Sequence, residues 1–331
     1  MALASVVFVV AALVSLATSW ILVTRLERVG DRLGLSEALL GILAALAADA
    51  PEITSSISAL AQHHRTISAG VVVGSNVFNL AALLGLGAVV SGFVALHRKV
   101  VVLGGFVAVW IALCCLGTAT GLFSTLEGFI PAALVLLAYL TILGIRRSEL
   151  QRMPLPARWL AWLGSAIDDE ELELADAVRP TKGRLVDALA ACGALVVVVL
   201  SSVVMERSAV ELGRHFHVSG VVIGGVVLAA VTSLPNAVAA VHLAAKGRGS
   251  AALSTALNSN NLNVVVGLFI PGTLIGLASP SATGEFTAAA YVTLTVLVLF
   301  LAFARRGLSR RAGALIITGY AVFVAVLLIV S

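Results

Sequence analysis

Apolar residues fall along this chain in ten long runs, parted by stretches that hold most of the charges. The runs cover roughly residues 2–24, 35–62, 67–95, 100–121, 126–145, 185–205, 217–245, 250–278, 286–304 and 312–330. About 20 apolar residues in a helix cross the ~30 Å hydrocarbon core of a bilayer. No water satisfies the backbone there, so each run must bond to itself as a helix. The pattern predicts an all-α polytopic membrane protein with ten transmembrane helices. The first run lacks a basic leader and an obvious cleavage site, which reads as a retained helix rather than a signal peptide.

The charges between the runs set an orientation. With the N-terminus outside, the inner loops hold 18 of the 21 Lys and Arg, and only Arg65, Arg207 and Arg214 stay outside. That asymmetry follows the positive-inside rule, and a wrong span count would spoil it. Five runs precede the long polar segment 146–183 and five follow it. An odd number per half makes the second half cross from the opposite side. The expected organisation is a first five-helix repeat at 1–145, a cytoplasmic linker at 146–183 and an inverted second repeat at 184–331, with both termini outside.

The halves share a motif at a constant offset of 184 residues. Asp49-Ala50-Pro51-Glu52 and Gly74-Ser75-Asn76-Val77-Phe78-Asn79 lie in the segment 41–87. Ser233-Leu234-Pro235-Asn236 and Asn258-Ser259-Asn260-Asn261-Leu262-Asn263 lie in 225–272. Pro51 falls on Pro235, Ser75 on Ser259, Asn76 on Asn260 and Asn79 on Asn263 without a gap.

Asp49 and Glu52 are the acidic residues nearest the middle of a run. A carboxylate there costs roughly 2.5–3.5 kcal/mol, so a cation, a proton or water is expected to offset it. Pro51 and Pro235 each free a carbonyl four residues back, at Ala47 and Val231. Freed carbonyls at membrane depth are tolerated where they line a cavity. Ser75 and Asn79 share a helix face beside Asn76, and Ser259, Asn260 and Asn263 repeat that spacing. Thr232 and Ser233 stand one turn before Asn236. These are hard oxygen donors, suited to Na⁺, Ca²⁺, Mg²⁺ or Mn²⁺ rather than to Zn²⁺ or Cu⁺. Small polar residues also glue membrane helices, and Gly70, Gly74, Gly85 and Gly87 read as close-packing positions.

The two segments resemble the α-repeats of the cation/Ca²⁺ exchanger superfamily, which read roughly Gly-Thr-Ser-x-Pro-Glu and then Gly-Ser-Asn-x-x-Asn/Asp. The resemblance covers both halves. It implies a site between the second, third, seventh and eighth spans, with Glu52 as the central acidic ligand and Asn79 and Asn263 as a pair. Ser75 and Ser259 would lie beside them. Thr232 and Ser233 match the Thr-Ser before the proline, and Asn236 stands at the second acidic position. Access would switch by sliding of the first and sixth spans. The chain departs from the pattern where Asn236 replaces a Glu and where Ala48-Asp49 replaces Thr-Ser. Both acids therefore sit in one half, and Asp49 is expected to compensate for Asn236. Ionised, the pair neutralises one divalent cation; sharing a proton, it suits proton coupling.

The function expected is secondary antiport, Na⁺/Ca²⁺ exchange first, with H⁺-coupled or other cation antiport as the alternative. A passive channel and a non-transporting relative that acts as a scaffold or sensor are the readings from other classes. No nucleophile–base pair or metal-binding His motif stands in the spans, so an enzyme is not expected. No tightly bound cofactor and no nucleic-acid partner is expected, since the net charge of +4 comes from the loops. The partners are the bilayer and the transported cations, the transport unit a monomer, and the location a prokaryotic plasma membrane. Cys114, Cys115 and Cys192 lie in apolar runs and give no disulfide framework. His63, His64 and His97 read as solvated loop residues, and His242 as a packing or snorkelling residue. In the linker, Arg158, Trp159 and Trp162 suggest a short helix at the inner interface, while the acidic run at 168–173 reads as solvated.

Overall fold

A computed structural model describes residues 2–33, 37–144, 150, 154, 156–175 and 183–331. The expected runs lie on helices, but the first and sixth, drawn to residues 24 and 205, extend to Arg32 and His215, and the second and seventh are each split in two. The first half holds α1 (Ala2–Arg32), α2 (Glu37–Ala48), α3 (Ala50–Ala61), α4 (Arg65–Ser91), α5 (Arg98–Ala119) and α6 (Thr125–Gly144). A linker helix α7 (Ala157–Ala175) follows. The second half holds α8 (Leu185–His215), α9 (Gly220–Thr232), α10 (Leu234–Ala245), α11 (249–275), α12 (Ala282–Arg305) and α13 (Arg310–Val330). A two-stranded antiparallel ribbon, β1 (Phe93–Ala95) with β2 (Gly307–Ser309), is the β-structure among the described residues.

Among the described residues seven helices are long and apolar enough to cross a membrane, and the pair α9–α10, bent by 50°, makes an eighth. The expected spans at α2–α3 and α11 are outside that set. α2–α3 carries the two acids and the break at Asp49, and α11 carries the second Ser/Asn run. The polar residues of both repeats lie inside. Ser55, Ser56, Ser75, Asn76, Ser259 and Asn263 are all fully buried.

Three stretches widen into π-helix, at Leu80–Leu86, Ile223–Leu228 and Asn263–Phe269. The first and last follow the two Ser/Asn motifs at corresponding places. A π-turn loosens the regular ladder, and Ser56 donates to the Gly267 carbonyl inside one of them at 2.8 Å. α4 and α9 approach backbone to backbone. A Cβ on Gly74 would overlap the backbone of Gly225, and one on Gly224 that of Ile67. Glycine is required there because nothing larger fits.

α1 and α8 lie along each other on the outside of this core. Ser15 and Ser202 hydroxyls meet at 3.2 Å. At one end Arg25 pairs with Asp187 at 2.6 Å and Arg28 reaches the same oxygen at 3.5 Å. The linker helix is docked rather than free. Leu163, Ala166 and Ile167 are buried, and Lys99 of α5 donates to Ser165 at 2.7 Å. The acidic run expected as solvated linker continues this helix to Ala175, while the linker positions 145–149, 151–153, 155 and 176–182 lie outside the described residues.

Candidate cation site

The two proline motifs make the same backbone break. Asp49 joins α2 to α3 with φ −79° and ψ −6°, and Ser233 joins α9 to α10 with φ −81° and ψ −4°. Each proline stands in the first turn of the helix that follows, where its missing N–H is no loss. The carbonyl that Pro51 frees, at Ala47, accepts the Ser19 hydroxyl of α1 at 3.4 Å. The side chains just after each break therefore project at the place where regular helix is interrupted.

All eleven expected ligands are buried, none more than 2% exposed. They lie on α3, α4, α10 and α11, at the last residue of α9 and at the two breaks. Asn76 and Asn260 cross-brace α4 and α11: each side-chain amide donates to the other's backbone carbonyl at 3.1 Å. Asn79 donates to Asn260 Oδ1 at 3.1 Å, and Asn263 to Asn76 Oδ1 at 3.3 Å. The four bonds form two matched pairs under the 184-residue offset, so the internal repeat is visible in the contacts.

The acids break this symmetry. Asn236 Nδ2 donates to Asp49 Oδ1 at 2.6 Å, and Ser259 Oγ donates to the same oxygen at 2.6 Å. Ser233 Oγ donates to Glu52 Oε1 at 2.8 Å. Asn79 Nδ2 completes the ring on Ser259 Oγ at 3.2 Å. Every donor to a carboxylate here comes from the second half, and both carboxylates from the first. Asp49 thus bonds directly to the residue whose missing charge it was expected to replace.

Ser75 and Thr232 behave differently from their partners. Ser75 donates back to Val71 and Val72 carbonyls, and Thr232 to Leu228 and Ala229 carbonyls, each within its own helix. Neither hydroxyl joins the hydrogen bonds that link the two halves.

Several buried oxygens have no hydrogen-bond partner: Asp49 Oδ2, Glu52 Oε2, Ser55 Oγ, Asn79 Oδ1 and Asn263 Oδ1. An unpaired carboxylate oxygen at this depth is expensive. Among the described residues no three His, Cys, Asp or Glu side chains converge on a point. The donors on offer are two carboxylates with amide and hydroxyl oxygens, the chemistry of a hard cation.

Sequence reasoning missed Glu206. It lies one residue past the end drawn for its run, but α8 continues to His215 and Glu206 is fully buried. The signal was an acid between Met205 and the apolar stretch Ala209–Val210. Ser58 and Gln62 donate to it at 3.1 and 2.6 Å.

A model of the sodium/calcium exchanger protein family matches residues 3–146 and 187–329. The chain is 30% identical over 132 residues to sodium/potassium/calcium exchanger 1 of Mus musculus, covering 38% of this chain and only 12% of that much longer protein. It is 26% identical over 290 residues to the inner membrane protein YrbG of Escherichia coli, covering 84% of this chain and 82% of that one. Among solved structures, that of the H⁺/Ca²⁺ exchanger CAX superposes with a TM-score of 0.69 at 14% identity, over 99% of this chain and 86% of that one, which is a shared fold.

Proposed function

The chain belongs to the sodium/calcium exchanger protein family, and on that premise we propose that it is a secondary active antiporter that exchanges Ca²⁺ for Na⁺ at the buried site between α3, α4, α10 and α11. The observation that carries the reading is the set of unpaired oxygens on Asp49, Glu52, Asn79 and Asn263, all on buried residues whose other polar atoms bond across the two halves. Two carboxylates neutralise one divalent cation, and Ca²⁺ takes 6–8 oxygens, roughly what these side chains with Ser233 and Ser259 offer. Donors on Asp49 Oδ1 and Glu52 Oε1 hold each carboxylate with its other oxygen free. Na⁺ ions would occupy the same oxygens in alternation.

The accompanying topology is ten spans in two inverted repeats, 1–145 and 184–331, with both termini outside a plasma membrane and the monomer as transport unit. Access would change by movement of α1 and α8 together, since Arg25 and Arg28 on Asp187 and the Ser15–Ser202 contact fasten one to the other. Ser19 of α1 touches the Ala47 carbonyl next to the break, which links that motion to the site.

A second reading, H⁺ in place of Na⁺, rests on one feature: two carboxylates share a single hydrogen-bonded cluster, where one proton could stand in for cation charge. Radiolabelled Ca²⁺ uptake into proteoliposomes separates the two. An outward Na⁺ gradient, a pH gradient and no gradient are compared, with Glu52→Gln as control. Uptake driven by Na⁺ and lost in the variant is the expected result. Uptake driven by pH alone moves the assignment to H⁺ coupling, and uncoupled flux would refute antiport.

A further inference from the structure

Glu206 is a fully buried carboxylate that the cation site does not use. It sits on α8, the helix read above as moving, and faces the end of α3, the helix that carries Glu52. Its Oε2 accepts Gln62 Nε2 at 2.6 Å and Ser58 Oγ at 3.1 Å. Its Oε1 lies 3.4 Å from His64 Nδ1. His64 Nε2 lies 3.5 Å from an Arg214 nitrogen. The His64 side chain is 25% exposed whereas that of Glu206 is 0% exposed, so the imidazole connects a sealed carboxylate to the outer solvent. With neutral His64 the chain is consistent in one tautomer: Arg214 donates to Nε2 and Nδ1–H donates to Glu206.

We propose that Glu206 and His64 form a proton-binding site that latches α8 to α3 on the outer side. A proton on His64 turns the 3.4 Å contact into an ion pair with a carboxylate that water does not reach, where the attraction is little screened. The cost is the contact with Arg214, which is exposed and free to turn to solvent. Protonation therefore tightens the seam, and deprotonation loosens it.

The surroundings leave the imidazole as the switch. On α8, Arg207, Glu211, Arg214 and His215 are all exposed. In the α3–α4 turn His63 is exposed and has a left-handed φ of 62°. Arg65 of α4 donates to the carbonyls of Leu277 and Ile275, on another side. From α1 and α9 the apolar side chains of Ala11, Ala12 and Ile223 pack in the cluster that also holds Met205, Ala209 and Val210 of α8. Ser55, buried with an unpaired hydroxyl, lies on α3 midway between Glu52 and Ser58. The latch and the cation site are thus on one rigid helix, and fastening its outer end fixes the position of its inner one.

The inference rests on the reading of α8 as mobile, and its test needs no transport. Spin labels at the exposed positions Ala61 and Glu211, introduced as cysteines in a background with Cys114, Cys115 and Cys192 changed to Ser, report the α3–α8 distance in nanodiscs. The distribution is measured at about pH 5 and about pH 8. The expected result is one short distance at acid pH and a growing longer population at alkaline pH. Glu206→Gln and His64→Gln, which keep hydrogen-bonding capacity but cannot form the ion pair, should lose that response. A wild-type distribution that does not move with pH, or variants that respond as the wild type does, would overturn the latch. Thermal unfolding with and without Ca²⁺ runs in parallel. Both variants should keep the wild-type Ca²⁺-induced rise in Tm, and its loss in them would also overturn the latch, by making the cluster part of cation binding. A pH response in a wild type that Ca²⁺ does not stabilise would count against the exchanger reading alone.

Discussion

The helix break at Asp49 and the break at Ser233 are nearly superimposable in backbone and opposite in chemistry. Both have the same φ and ψ within a few degrees, and both are followed by a proline in the first turn. Yet the first presents two carboxylates, while the second presents Ser233 and Asn236, which donate to them. The two halves share the backbone geometry of the break and differ in which of them carries the charge. Buried charge must be paired, so an acid lost from one half can be supplied by the other if its oxygen lands beside the vacated partner. Asp49 Oδ1, 2.6 Å from Asn236 Nδ2, does so.

The largest effect that would test this comparison is removal of the acid nearest the family pattern. Glu52→Gln should lower the affinity for Ca²⁺ by about 100-fold or more, equivalent to about 2.8 kcal/mol at 1.4 per decade. Isothermal titration with Ca²⁺ reads it directly. A variant that still binds as tightly as wild type would place the cation elsewhere.

Next comes the exchange of charge itself. Asp49→Ser alone should abolish most of the Ca²⁺-dependent stabilisation, which for a one-site ligand at 100 times Kd is about 2.7 kcal/mol. The double change Asp49→Ser with Asn236→Glu moves the carboxylate to the second half and should recover most of it. If the double variant behaves like the single one, the two positions are not interchangeable, and Asp49 has a role of its own such as proton binding. Thermal unfolding across a Ca²⁺ series distinguishes these outcomes.

A third expectation concerns the scaffold that brings the halves together. Gly74→Ala forces a Cβ into the backbone of Gly225, and overpacking of this kind costs about 1–3 kcal/mol. The melting temperature should fall while the cation affinity of the folded fraction changes less than in Glu52→Gln. A neutral result would mean that α4 and α9 are farther apart than the close backbone approach requires.

Much of this was legible beforehand because it depends on spacing. Span bounds follow from runs of apolar residues, and α5, expected at 100–121, occurs as Arg98–Ala119. Register also marked Asn79 and Asn263 as a pair, but the amides that bond reciprocally across the halves are Asn76 and Asn260, with Asn79 and Asn263 each bonded to one of them. What spacing does not encode is where a hydroxyl points. Ser75 and Ser259 occupy equal positions in the repeat, yet one bonds its own helix and the other an acid in the opposite half. Rotamer choice depends on the neighbours that tertiary packing supplies. Glu206 escaped for a related reason: the bilayer-length rule ends the run near residue 205, whereas α8 runs on to His215 because α3 covers it. The linker helix was half visible, through Trp159 and Trp162, but its docking by Leu163 and Ile167 was not.

That difference between the two serines supplies the smallest and most discriminating test. Ser259 donates to Asp49 Oδ1 at 2.6 Å and also receives Asn79 and Asn236, so it links three site residues. Hydrogen bonds to charged groups are worth about 1.5–3 kcal/mol, and Ser259→Ala should therefore weaken Ca²⁺ binding by roughly 10-fold or more, at 1.4 kcal/mol per decade. Ser75 spends its proton on Val71 O at 2.6 Å, within its own helix. A bond of that kind adds little to helix stability, so Ser75→Ala should leave affinity within about 2-fold, a change of ~0.4 kcal/mol. Side by side under one titration protocol, unequal losses would show the duplicated motif to be divided in labour. Equal losses would mean that Ser75 turns into the site when the cation arrives, restoring the symmetry that the hydroxyls, unlike the backbone, do not have.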